Sequence, residues 1–158
     1  INMTKFFNLI FIIFSISISS FEQEYTSAQS KFSLLVHKTP TCGCCKKWVK
    51  HLEANSFSTM IKDHQNLQKV KDQYSIKPKY QSCHTAVSQD GYIFEGHIPS
   101  KFIKQFLANP EADAIGLSVP GMPLGSPGME VEGRFMAYDV LVLYKDGSSK
   151  VYAEVRKL

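Results

Sequence analysis

Four cysteines constrain this chain more than any other feature: three form the cluster Cys42-Gly43-Cys44-Cys45 and the fourth stands apart in Cys83-His84. A thiol–disulfide pair needs only two sulfurs at Cys-x-x-Cys spacing, which Cys42 and Cys45 supply. Cys44 and Cys83 exceed that need, so the fold must account for three or four thiols in one place. Adjacent Cys44 and Cys45 cannot bridge without strain at their shared peptide bond, because disulfide geometry is narrow. Cys42 and Cys45 could close a normal bridge, which would leave Cys44 over.

The surrounding pattern places the cluster between a strand and a helix. Lys31 to His37 carries Phe32, Leu34, Leu35 and Val36 and reads as a buried strand, broken by Thr39-Pro40-Thr41. A helix then starts inside the cluster and runs to about Asn55, with Trp48, Val49 and Leu52 on its core face. Lys46, Lys47 and Lys50 occupy the other face. Phe57 to Ile61 reads as a second strand, and Asp63 as the N-cap of a short helix carrying Leu67, Val70 and Tyr74. Thr85 to His97 forms a hairpin turning at Asp90-Gly91. Pro99-Ser100 opens a helix with Phe102, Ile103, Phe106 and Leu107 on one stripe, stopped by Asn109-Pro110. A last hairpin turns at Asp146-Gly147 between Tyr138–Tyr144 and Lys150–Val155. Between them, Gly116 to Gly133 reads as a long Gly/Pro-rich loop containing Met122 and Met129, and a loop of that length is usually functional. Met60 and Met136 are assigned to the core, and His37, His51 and His64 to surface or packing roles.

This order predicts an α/β fold: a thioredoxin-like domain with a mixed sheet, the Gly/Pro/Met-rich loop and an added C-terminal hairpin. The length of 158 residues suits one domain. Lys5, the apolar run Phe6 to Ile18 and the small residues Ser17, Ser19 and Ser20 read as a secretory signal. The rival reading, an uncleaved anchor, needs about 20 apolar residues, more than the run provides. The organisation expected is a signal peptide over 1–20, a linker over 21–31 and a metal-binding domain over 32–158. The charge of +4 includes no extended basic stripe, so nucleic-acid binding has no support. No membrane span is expected once the signal is removed.

The chemistry follows from the sulfurs. Cys44 and Cys45 open a helix, where free N–H groups and the macrodipole favour an anion, and Lys46 and Lys47 add positive potential. Both effects favour thiolates, which serve nucleophilic attack and metal ligation alike. The loop before Thr85 should bring Cys83 to the cluster, with His84 beside it. Soft thiolates select copper(I), although four thiolates also satisfy zinc. Met122 and Met129 tilt the choice to copper, since zinc sites do not use thioethers. His97, after Glu95-Gly96, is a further candidate near the site, with a structural histidine as the alternative reading.

Four separated motifs resemble one family: Cys-Gly-Cys-Cys-Lys-Lys-Trp (42–48), Ser-Cys-His-Thr-Ala-Val (82–87), Glu-Gly-His-Ile-Pro (95–99), and the run 116–130 from Gly-Leu-Ser-Val-Pro to Pro-Gly-Met-Glu. They are similar to the CopG-type copper-resistance family of exported metal-binding proteins. The resemblance covers roughly residues 32–155. It implies a thioredoxin-like fold, a periplasmic location and copper held by Cys42, Cys44, Cys45 and Cys83. His84, His97, Met122 and Met129 match the family's other characteristic positions. The reading is a periplasmic copper-binding protein of copper resistance, holding copper(I), in a multinuclear cluster or with copper redox activity, and partnered with copper-export or copper-delivery proteins. The alternatives are a thiol–disulfide oxidoreductase using Cys42 and Cys45, and a metallochaperone docking through Lys46, Lys47 and Lys50.

Overall fold

The computed structural model describes residues 32–157. The signal-peptide and linker expectations over 1–31 lie outside the described residues. Within them, β1 (Phe32–Lys38), α1 (Gly43–Ala54), β2 (Phe57–Asp63), α2 (Gln68–Gln73), β3 (Thr85–Ser88), β4 (Ile93–Glu95), α3 (Ser100–Ala108), β5 (Ala114–Ser118), β6 (Tyr138–Tyr144) and β7 (Ser149–Val155) follow in order. The strands form a single mixed sheet in the order β2-β1-β3-β4-β5-β6-β7. β1 runs parallel to β2 and antiparallel to β3, and β4 runs parallel to β5.

Period-two alternation divides the sheet into two faces. Leu34, Val36, Phe94, Leu117, Val140 and Val142 join Trp48 and Leu52 of α1 and Ile103 and Phe106 of α3 in the larger core. Val87, Ile93 and Leu143 point the other way and meet Ile76 and Tyr80 near α2. The helix expected from the cysteine cluster therefore forms, and its Trp48–Val49–Leu52 stripe is buried as the pattern requires.

Three local expectations fail for identifiable reasons. Asp63 ends β2 and pairs with the buried ammonium of Lys38 at 2.5 Å, so it does not cap α2, which begins at Gln68 with no side-chain cap. The segment expected as a loop from Gly116 begins with β5, a central strand held by β4 on one side and β6 on the other. That placement also makes the terminal hairpin a continuation of the main sheet. Met60 and Met136 are not core residues: they are 61% and 54% exposed. Met60 lies on β2, at the edge of the sheet, and Met136 follows the long loop.

Candidate metal centre

The Thr39-Pro40-Thr41 break ends β1 and turns the chain so that Cys42 becomes the N-cap of α1. Its sulfur accepts the Cys45 backbone N–H at 3.2 Å, a sulfur counterpart of the usual oxygen cap. Cys42 and Cys45 are joined as a disulfide, and Cys44 and Cys83 are free thiols. Cys44 Sγ lies 3.5 Å from Cys42 Sγ and 3.9 Å from Cys83 Sγ. Cys83 Sγ is also 3.5 Å from Cys45 Sγ. All four sulfurs lie within 4.8 Å of one another. Cys45 is fully buried while the other three are half-buried, so the group opens on one side.

Both candidate histidines of the 83–97 hairpin reach the same point. His97 Nε2 stands 3.1 Å from Cys83 Sγ and His84 Nδ1 stands 3.4 Å from it. Cys83, His84 and His97 form a second group whose ligand atoms lie within 4.8 Å, sharing Cys83 with the first. The His97 tautomer is set by its other nitrogen: Nδ1 donates to the Pro127 carbonyl at 2.8 Å, which leaves the Nε2 lone pair facing the sulfur. Burial lowers the pKa of both imidazoles. For His84 the fall is large, with the charges of His97 and Lys71 adding to it and the Gly96 backbone opposing. For His97 the Pro127 carbonyl and the Glu130 charge oppose the fall. Neutral imidazole is the ligating form. Burial, followed by the neighbouring Cys44, pushes the Cys83 thiol up to about 12. A metal ion bound at Cys83 would reverse that local charge logic.

Trp48 does more than fill the core. Its ring packs on His84 with centroids 4.3 Å apart, and its Nε1 donates to the Ile98 carbonyl at 2.9 Å. His84 in turn meets His97 edge-on, with centroids at 4.9 Å. Among the described residues the buried Nε2 of His84 has no hydrogen-bond partner.

The long loop closes against this centre at three places. Gly121 donates its N–H to the Gln81 carbonyl at 3.1 Å, and its own carbonyl accepts from the Ser82 hydroxyl. Pro127 accepts from His97. Gly128, at φ +88, lies against the Cys44 carbonyl and the Trp48 amide. Met122 and Met129 each follow one of these anchoring glycines. Met129 is half-buried, whereas Met122 is 51% exposed. The structure thus gathers the four cysteines, His84 and His97, and brings the backbone of both methionines to the rim.

Sequence reasoning missed three contributors. Pro127 acts through its carbonyl, and Lys71 and Glu95 lie beneath the Cys83 segment. Glu95 stood beside His97 in the third motif, but nothing in the local pattern marked it as a buried partner of Lys71.

Two solved chains of copper resistance protein copG, forms 2 and 1, are similar to this one. Each is 42% identical, with TM-scores of 0.75 and 0.74, and each match covers 79% of this chain and 98% of that one. The chain belongs to the CopG-type copper-resistance family. A family model described as a protein of unknown function, DUF411, matches residues 80–129, a span containing Cys83, His84, His97, Met122 and Met129 of this CopG-type chain. No curated protein matches it. Among the described residues of this CopG-type protein, no helix is long and apolar enough to cross a membrane.

Proposed function

We propose that this protein binds copper(I) through Cys42, Cys44, Cys45 and Cys83, with His84 and His97 completing the donor set, and acts in copper resistance outside the cytoplasm. The observation that carries the reading is the convergence of four sulfurs within 4.8 Å, with two neutral imidazoles on Cys83. Soft thiolate and imidazole donors at this density suit copper(I). Four sulfurs able to bridge favour more than one ion, and closing the Cys42–Cys45 dithiol to its disulfide would release two electrons and two protons, enough to reduce two copper(II) ions to copper(I). Met129, beside the Gly128 contact on Cys44, is the nearer thioether candidate, and Met122 the outer one.

The frame we propose is thioredoxin-like. Its support is the cysteine turn between β1 and α1, with β1 flanked by parallel β2 and antiparallel β3. We assign residues 1–20 to a signal peptide and 21–31 to a linker, on the charged, apolar and small-residue order of the leader.

The Cys42–Cys45 disulfide favours a second reading, a thiol–disulfide oxidoreductase. Such an enzyme needs only two thiols, and the gathering of Cys44 and Cys83 about the bridge weighs toward metal binding. If copper is delivered onward, the exposed Lys46, Lys47 and Lys50 give an acidic partner its docking face.

The test is titration of the reduced chain with copper(I) against a coloured chelator, without oxygen, alongside Cys44→Ser. Tight binding that weakens sharply in the variant supports the reading. A chelator that keeps all the copper from the unaltered chain removes it and leaves the oxidoreductase.

A further inference from the structure

Beneath the candidate metal centre, Glu95 is fully buried and its carboxylate gathers three donors. Oε1 accepts the Ser82 backbone N–H at 2.6 Å and the ammonium of Lys71, reaching in from α2. Oε2 accepts the Thr85 hydroxyl at 2.5 Å. Lys71 is itself buried and also contacts the Thr85 hydroxyl at 3.4 Å.

The sequence positions of these donors give the contact its meaning. Ser82 immediately precedes Cys83, and Thr85 immediately follows His84. One carboxylate therefore holds both ends of the Cys83-His84 segment. Glu95 also ends β4, and two residues later the chain delivers His97. The turn between them requires Gly96, at φ +81, where a Cβ would meet the Ser82 hydroxyl at 2.7 Å. The Gly96 N–H also bonds the His84 carbonyl at 3.1 Å. Cys83 and His97 thus arise from two chain segments that meet at one side chain.

An ion pair buried this deeply is a poor way to gain stability alone, because desolvation offsets much of the attraction and an apolar pair serves as well. Charge-assisted bonds do fix geometry more tightly than neutral ones. We propose that Glu95, neutralised by Lys71, is a positioning residue that holds Cys83 against His97 before any metal arrives. Its consequence for copper rests on the function proposed above, whereas its test does not.

The test uses the metal-free chain with the Cys42–Cys45 bridge closed, so that only Cys44 and Cys83 can be alkylated. Iodoacetamide modification of each thiol is followed by peptide mass spectrometry in the unaltered chain, Glu95→Gln and Thr85→Val. The glutamine keeps the shape but turns an amide N–H₂ or a weakened acceptor toward Lys71. Cys83 modification should rise several-fold while that of Cys44 stays constant. Thr85→Val, which deletes a single donor, should move the same ratio by less and serves if Glu95→Gln does not fold. A ratio that stays fixed, or two thiols that accelerate together as in general loosening, would overturn the proposal. Copper(I) affinity, measured separately after reduction, should fall in Glu95→Gln while the thiolate-to-copper absorption of the saturated protein is unchanged, since bound metal imposes the geometry itself. Absence of copper binding by the unaltered chain would remove the copper reading and leave the alkylation ratio to decide the role of Glu95.

Discussion

Gly128 sits on the main chain of Cys44: a Cβ placed there would come within 2.7 Å of the Cys44 carbonyl oxygen and 2.8 Å of the Trp48 amide nitrogen. The long loop and the cysteine helix are therefore in backbone contact, and the contact admits only glycine. The φ of +88 adds conformational strain for any other residue. Gly128→Ala should cost about 1–3 kcal/mol in urea unfolding and weaken copper(I) binding, because the loop must lift from the site. Equal affinity in the variant would mean that the loop rim plays no part in the metal centre.

The bridged form should hold copper(I) far more weakly than the reduced form. On the function proposed above the ligands are thiolates, and the Cys42–Cys45 disulfide withdraws two of the four sulfurs. Chelator competition run on both forms, with thiols counted at each point, checks this. Equal affinity would exclude Cys42 and Cys45 as ligands.

Trp48 supplies a stability test separate from metal. Its indole N–H is the donor to the buried Ile98 carbonyl next to His97. Trp48→Phe leaves that carbonyl without its donor and should cost about 1–3 kcal/mol. The midpoint in urea reads the effect, and a change below the error of the fit would show that the carbonyl finds another partner.

Stability should fall with acidity, and His51 should carry part of that fall beside His37, His84 and His97, whose pKa values burial also lowers. Its Nε2 accepts the Ser100 N–H at the start of α3, at 3.1 Å, so the ring must be neutral there. Burial lowers its pKa, with the Glu130 charge opposing. A group whose folded pKa is depressed leaves the unfolded chain binding more protons. Its contribution is complete above the unfolded value of about 6.5 and is lost as pH falls below it, levelling off under the folded pKa. His51→Ala should cost about 1 kcal/mol at pH 7 by loss of the cap. It should also flatten the decline in stability between pH 7 and 5. An identical decline in the variant would place the titrating group elsewhere.

Much of the centre was legible in the sequence because its determinants are local. Spacing marked Cys42 and Cys45 as the pair able to bridge, and the Pro40 break followed by the Trp48–Leu52 stripe fixed where α1 begins and which side it buries. The place of Cys83 just before the first strand of a hairpin foretold its approach to the cluster. β5 was not legible, since Ala-Ile-Gly-Leu-Ser carries a glycine and merges with a Gly/Pro-rich stretch; its strand character comes from the two neighbours it joins. Met60 was misplaced because strand composition does not reveal which strand lies at a sheet edge, and Met136 because it precedes β6 instead of lying in it.

The sequence by itself determined which residues carry thiols and imidazoles, a spacing that lets Cys42 and Cys45 bridge, and the helix that presents them, because those depend on residue type and on spacings of a few positions. Only the tertiary structure decided that His97 faces Cys83 with its Nε2 free, that Gly128 rests on Cys44, and that Lys71 and Glu95 share one buried contact. Each of those joins residues 14 or more positions apart, and such pairs are chosen by how the sheet and loops pack, which no local pattern encodes.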